Sequence, residues 1–176
     1  MRVLVSAASR HGSTAEMAAE IAAALSDAGL DAQVVAPDDV TSLDGFDAAV
    51  IGSAIYMNNW MAPARDLVDR LGDDLATMPV WLFSSGPIGD PPPPSEEPEE
   101  MAEILAATHA RDHRIFAGRI DRAQLGLGEK VLTSALRTPE GDFRPWTDVR
   151  TWAEGIAGEL TRGAGDAEGP AGESAT

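Results

Sequence analysis

The chain has 176 residues, 44% of them apolar, which suits one globular domain with a substantial core. Its formal net charge of −16, from 13 basic against 29 acidic residues, argues against nucleic acid or an anionic membrane surface as partner. There is no cysteine, which excludes disulfides, thiolate metal sites and cysteine nucleophiles. No apolar run reaches membrane-spanning length, and Met1 leads straight into a strand pattern, so a cytoplasmic location without stable membrane insertion is expected.

In chain order, Arg2 to Ala7 reads as a strand that is apolar on both faces, as a central parallel strand should be. The loop Ala8-Ser9-Arg10-His11-Gly12-Ser13-Thr14 follows, and a helical pattern starts at once from Ser13. Met17, Ile21 and Leu25 recur along one face of that helix, and Gly29 stops it. Ala32 to Ala36 is a second strand, followed by turn chemistry at Pro37-Asp38-Asp39. The link to the third strand is too short for a full helix, so a turn or short helical piece around Val40 to Leu43 must cross there.

Phe46 to Ser53 is the third strand, and Ala54 to Met61 a loop with large side chains. A helix is expected over about Ala62 to Leu71, with Leu67, Val68 and Leu71 inward. Val80 to Ser84 is the fourth strand, ending in the loop Ser85-Gly86-Pro87-Ile88-Gly89-Asp90. Pro91 to Pro94 is extended and stiff. Ser95 can cap a helix with an acidic first turn that runs to about His109. Arg114 to Gly118 is the fifth strand, and Arg122 to Leu136 a helical stretch. The last helix starts at Thr147, with Val149, Trp152, Ile156 and Leu160 on one face. Residues 1–161 therefore make the domain, and residues 162–176, rich in Gly, Ala and acids, a disordered tail.

This alternation points to an α/β three-layer sandwich around a five-stranded parallel sheet in order 2-1-3-4-5. In that order the loops after strands one, three and four meet in one crevice. The first offers Ser9, Ser13 and Thr14 hydroxyls, the Arg10 charge, and Gly12 for close backbone approach. It is read either as a phosphate cradle or as an ordinary strand-to-helix turn with a Ser N-cap. His11 assists the anion or faces water. The second loop holds Ala54, Ile55, Tyr56, Met57 and Trp60, flat and soft surfaces on which a planar ring can lie. Trp60 either lines that ring or staples the loop to the core. The third loop, Ser85 to Gly89, offers backbone N–H groups suited to the pyrimidine edge of a flavin. Phosphate cradle, ring platform and backbone donors together fit flavin mononucleotide (FMN).

Competing sites fail. There is no G-x-x-x-x-G-K-[ST] loop, no G-x-G-x-x-G after a strand, and no G-x-S-x-G elbow. His109 and His113 have metal-ligand spacing for a helix but straddle its expected end, which places them at the surface.

The first loop resembles the flavodoxin phosphate signature T/S-x-T-G-x-T. The likeness extends over about Met1 to Leu160. Ser-Arg-His-Gly-Ser-Thr, then Ile51-Gly52-Ser53-Ala54-Ile55-Tyr56, then Phe116-Ala117-Gly118-Arg119-Ile120-Asp121 are most similar to the flavodoxin-domain branch that includes the menaquinone-dependent protoporphyrinogen dehydrogenases. The resemblance implies a flavodoxin-like fold and FMN held without a covalent bond. Residues Ser9 to Thr14 would take the phosphate. Ala54 to Met57 and Trp60 would line the ring, and Ser85 to Gly89 would close over its other edge. It implies an FMN-dependent oxidoreductase linked to haem biosynthesis or quinones, with a soluble electron carrier or a cofactor-free interaction domain as the alternatives. The expected partner is a small-molecule substrate or a redox partner protein, with homodimerisation left open.

Overall fold

The computed structural model describes residues 1–86, 100–120 and 140–167. Its elements are β1 (Arg2–Ala8), α1 (Ser13–Asp27), β2 (Asp31–Val34), a 3-10 turn (Pro37–Asp39), β3 (Ala48–Tyr56), β4 (Asn59–Trp60), α2 (Ala62–Leu75), β5 (Val80–Ser85), α3 (Met101–Thr108), β6 (Asp112–Phe116), β7 (Arg119–Ile120), β8 (Gly141–Asp142) and α4 (Trp146–Ala167). The main sheet runs β2-β1-β3-β5-β6, all parallel, which is the 2-1-3-4-5 order expected once the short β4 is set aside.

Both sheet faces are covered, so the central strands alternate between two cores rather than between core and water. Val3, Val5, Val50, Trp81 and Phe83 pack under α1 and α4 with Met17, Ile21, Leu25, Val149, Ile156 and Leu160. Leu4, Ala49, Ile51 and Leu82 pack on the opposite face under α2 and α3 with Leu67, Val68, Leu75, Met101 and Ile104. Edge-to-face contacts of Trp152 with Phe83 and Phe116 seat α4 on the sheet, at centroid separations of 6.3 and 5.7 Å.

The crossover from β2 to β3 tightens at Pro37–Asp39, just before the expected position. It is held there by Arg70, whose guanidinium donates to the carbonyls of Pro37 and Val40 at 3.1 and 3.0 Å. The acceptors are backbone groups, so no charge pattern in the sequence announces this tie. Pro63 sits in the first turn of α2, where its missing N–H costs nothing.

Several boundaries differ from those expected. β2 stops at Val34 and β6 starts at Asp112. α2 continues past Leu71 to Leu75, which is buried. α4 continues to Ala167, so residues 162–167 of the expected tail have helical backbone. The largest change is at β3, which does not end at Ser53. It runs on to Tyr56 and folds back as a hairpin, with Ile55 opposite Trp60 and Tyr56 opposite Asn59. The polyproline run, the start of the helix expected from Ser95, the 122–136 helix and the end of the tail lie outside the described residues.

Gly52 lets β3 and β5 pack. A Cβ there would stand 2.2 Å from Cε1 of Phe83, a fully buried ring with no room to swing aside. Gly52→Ala should therefore destabilise the domain by about 1–3 kcal/mol through overpacking. The check is the urea midpoint at unchanged m-value.

Candidate functional site: the carboxyl rim of the sheet

Three loops leave the same end of the sheet because the strands finish in step. Ala8 pairs with Ser53, and Ala54 with Ser85. The loops touch. The Arg10 guanidinium lies over the Tyr56 ring at 5.3 Å, joining the first to the second. A Cβ on Gly86 would come within 3.7 Å of the Ile55 Cβ, joining the second to the third.

The first loop turns into α1 through Gly12, whose φ of 79° is a left-handed conformation that glycine adopts without penalty. Gly12 is itself the N-cap, and no side chain caps the helix. The Ser N-cap reading is thereby overturned, and the first-turn N–H groups of α1 are left without a side-chain oxygen. Ser13 Oγ is buried with no hydrogen-bond partner. Thr14 is buried beneath it, 1% exposed, while Ser9 and His11 are half-buried and Arg10 is exposed. An anion is what such a turn lacks.

The hairpin of β3 and β4 turns at Met57 and Asn58, both with positive φ, at 50° and 62°. Two consecutive left-handed residues make a tight two-residue turn whose sense matches strand twist, built here without glycine. Asn59 Nδ2 donates to the Met57 carbonyl at 3.0 Å and secures it. The turn carries Met57 outward at 82% exposure and Tyr56 at 40%, directly beside the first loop.

Trp60 does not join them. It is 1% exposed, and its indole N–H donates to Ser84 Oγ at 2.8 Å. Its backbone N–H donates to Glu100 at 2.5 Å, and Glu100 in turn accepts from Arg65 at 3.1 Å. The staple reading of Trp60 replaces the ring-lining one, because its strand pairing with Ile55 turns the side chain into the core under α2. Ser53 Oγ adds a second tie, accepting from the Met61 N–H at 2.8 Å.

In the third loop, Ser85 is buried at 6% exposure, and Gly86 has a φ of 127°. The Gly86 N–H is already spent on the Phe116 carbonyl at 2.9 Å, so it is not a donor toward the crevice. Pro87, Ile88 and Gly89 lie outside the described residues. Of the paired histidines, His109 is exposed at the left-handed end of α3. His113 is half-buried rather than fully at the surface. It sits on β6 with Nε2 2.9 Å from Ser84 Oγ. Among the described residues no group of three His, Cys, Asp or Glu is placed to hold a metal ion.

One cluster beside the rim was invisible in the sequence. Arg144, its side chain 3% exposed, is gripped by both carboxylate oxygens of Asp142 at 2.7 and 2.6 Å. It also donates to the Ser13 carbonyl at 3.2 Å and to Glu16 at 2.6 Å. Its guanidinium stacks on Trp146 at 4.3 Å. Arg119, across the β7–β8 ribbon, donates to both oxygens of Glu16 at 3.1 and 3.2 Å. The hydrogen bond from Arg144 outweighs burial and, with the charges of Arg144 and Arg119, holds the Glu16 carboxyl below its ordinary pKa. The same guanidinium does this for Asp142, again chiefly by hydrogen bonding. Asp142 is a local partner of Arg144, but Glu16 stands more than a hundred positions from both arginines, and no local motif signals that pairing.

A family model described as a flavodoxin domain matches residues 4–144, most of the chain. The chain belongs to the flavodoxin-domain family. Solved flavodoxins share its fold. One from an archaeon is 17% identical over 92% of this chain and 99% of that one, with a TM-score of 0.61. A cysteine-to-serine mutant flavodoxin from Pseudomonas aeruginosa is 18% identical over the same shares, with a TM-score of 0.62. The rubredoxin:oxygen oxidoreductase of Desulfovibrio gigas is 15% identical, with a TM-score of 0.63, but only 36% of that chain is covered. Among curated proteins none matches the chain. FMN is the cofactor of the flavodoxin-domain family. No helix among the described residues of this flavodoxin-domain chain is long and apolar enough to cross a membrane.

The depressed carboxyls of Glu16 and Asp142 fix a pH dependence. Their stabilisation is complete above the ordinary carboxylate pKa of about 4 and is lost as pH falls through the lower folded values. The urea midpoint should therefore drop from about pH 4.5 to pH 3. The drop should be shallower in the double variant Glu16→Gln with Asp142→Asn.

Proposed function

We propose that the flavodoxin-domain chain binds FMN at the carboxyl rim of its sheet and exchanges electrons with a redox partner protein. The observation that carries this is the first turn of α1. It is led by a left-handed glycine, lacks a side-chain cap, and holds an orphaned, buried Ser13 hydroxyl. A phosphate supplies the missing acceptors. The residues present thus fit the phosphate end of FMN. Ser9, Gly12, Ser13 and Thr14 would hold it, with Arg10 and His11 at its edge. Ala54, Ile55 and Tyr56 would support the ring, and Met57 would cover its rim. Ser85 and Gly86, with Pro87, Ile88 and Gly89, would bound the far side.

When bound, the isoalloxazine supplies reversible one- and two-electron redox chemistry. The chain's own part is to orient it and to limit water around it. Tyr56, half-exposed, offers a flat face, and its contact with Arg10 keeps that face at the rim. Ser84, Trp60 and Ser53 hold the hairpin base, so the ring platform does not shift with the tip. None of the rim side chains named here is a Glu or Asp, and no acid–base step is assigned to them.

A macromolecular partner is favoured by the exposed Met57 on an otherwise acidic chain. An exposed apolar knob on a chain of net charge −16 suits docking to a basic protein surface. Oxidation of a porphyrinogen with quinone as acceptor is the finer enzymatic reading. The Phe116-to-Arg119 segment lends it little weight, because Arg119 is engaged with Glu16.

The purified protein should be yellow, or become so with stoichiometric FMN. Thr14→Trp should lower FMN affinity by at least ~100-fold while far-UV circular dichroism stays unchanged. Retained affinity in a folded variant would remove the phosphate assignment. Incubation of the FMN-loaded protein with porphyrinogen and menaquinone should give no porphyrin. Sustained turnover would favour the enzyme over the carrier.

A further inference from the structure

Glu16 stands in an awkward place for a phosphate-binding turn. Its Oε1 lies 4.0 Å from where a Gly12 Cβ would be, one helical turn above the cradle. An acidic residue in a first turn favours the helix dipole, but here it competes for that dipole with the phosphate itself. A carboxylate beside the turn repels a phosphate dianion bound in it. The Glu16 side chain is 49% exposed, and its carboxylate serves as partner to Arg119 and to the buried Arg144.

Glu16 and the three charges around it balance in number. Arg119 and Arg144 carry two positive charges, and Glu16 and Asp142 two negative. Arg119 meets Glu16 through both oxygens, and Arg144 bonds Glu16, Asp142 and the Ser13 carbonyl together. The carboxylate is thus offset by the two guanidiniums, one of which also grips the backbone of the cradle.

We propose that the Glu16, Arg119, Arg144 and Asp142 cluster sets how strongly this chain prefers a phosphorylated flavin over its unphosphorylated form. Glu16 is the selectivity-lowering charge, and the two arginines are its counterweight. The inference rests on the FMN reading above, and it adds that the preference is tuned from beside the cradle rather than by its hydroxyls alone. Arg144 is in addition a positioning residue, since it holds Ser13 through its carbonyl.

The test compares dissociation constants for FMN and riboflavin by flavin fluorescence quenching at low and at raised salt. Glu16→Gln should raise the ratio of riboflavin to FMN dissociation constants by ~3- to 10-fold. Arg119→Gln should lower it by a similar factor, and Arg119→Lys should restore most of it. The changes should fall on FMN, leave riboflavin unaltered, and shrink as salt rises. A ratio that stays at the wild-type value in Glu16→Gln and Arg119→Gln would overturn the proposal. So would equal loss of both ligands, which is the mark of a merely structural role. Should the wild-type chain take up neither flavin, the FMN reading fails and this inference with it. Uptake of FMN with an unmoved ratio removes the inference alone.

Discussion

The parallel pairing of β1 with β3 is the constraint on which the rest depends. Val3 to Ala8 lies in register with Ala48 to Ser53, and both strands are buried between helices on either face. A parallel pair cannot be joined by a tight turn, so each strand must leave the sheet at the same end before its chain returns. Two loops therefore emerge side by side at the place where the strand order reverses. The rim is a product of topology before it is a product of any particular side chain. The chemistry-bearing residues then need only be small at the first exit and broad at the second.

The rim is stiffened by unlike devices on its two sides. Below the hairpin the Glu100–Arg65 pair flanks ties that are neutral: Trp60 to Ser84, Met61 to Ser53. Such bonds hold in any salt, and breaking one leaves a polar group stranded in the core. Beside the first loop the ties are ionic. Arg144 is a buried cation, tolerable only because Asp142 and Glu16 meet it with short, well-directed bonds. Protonation of Glu16 and Asp142 therefore loosens that side of the rim.

What the sequence disclosed and what it concealed follow from the range of the forces involved. Val3-Leu4-Val5 and Val80-Trp81-Leu82-Phe83 are continuous apolar runs because both sheet faces are covered, and this made the strands and their order legible. Gly12 was legible as a point of close approach, though its role as the helix cap itself was not, since a serine is the more familiar cap. The hairpin at Met57-Asn58 was hidden because neither residue is a glycine, and left-handed turns without glycine carry little signal. Trp60 was misplaced for the same reason: an unrecognised strand pairing decided which way it points. The joining of Arg144 and Arg119 to Glu16 was beyond any local reading, because that carboxylate lies at the other end of the chain.

The hairpin is anchored at its base and bare at its tip. Trp60 is sealed in the core while Met57, three positions earlier, is almost wholly in water. The outermost side chains can therefore be exchanged without disturbing the barrier to unfolding, since almost nothing that stabilises the domain rests on them. That separates two demands which usually conflict, leaving the tip open to refitting for a different docking counterpart while the scaffold beneath it is held by its own packing.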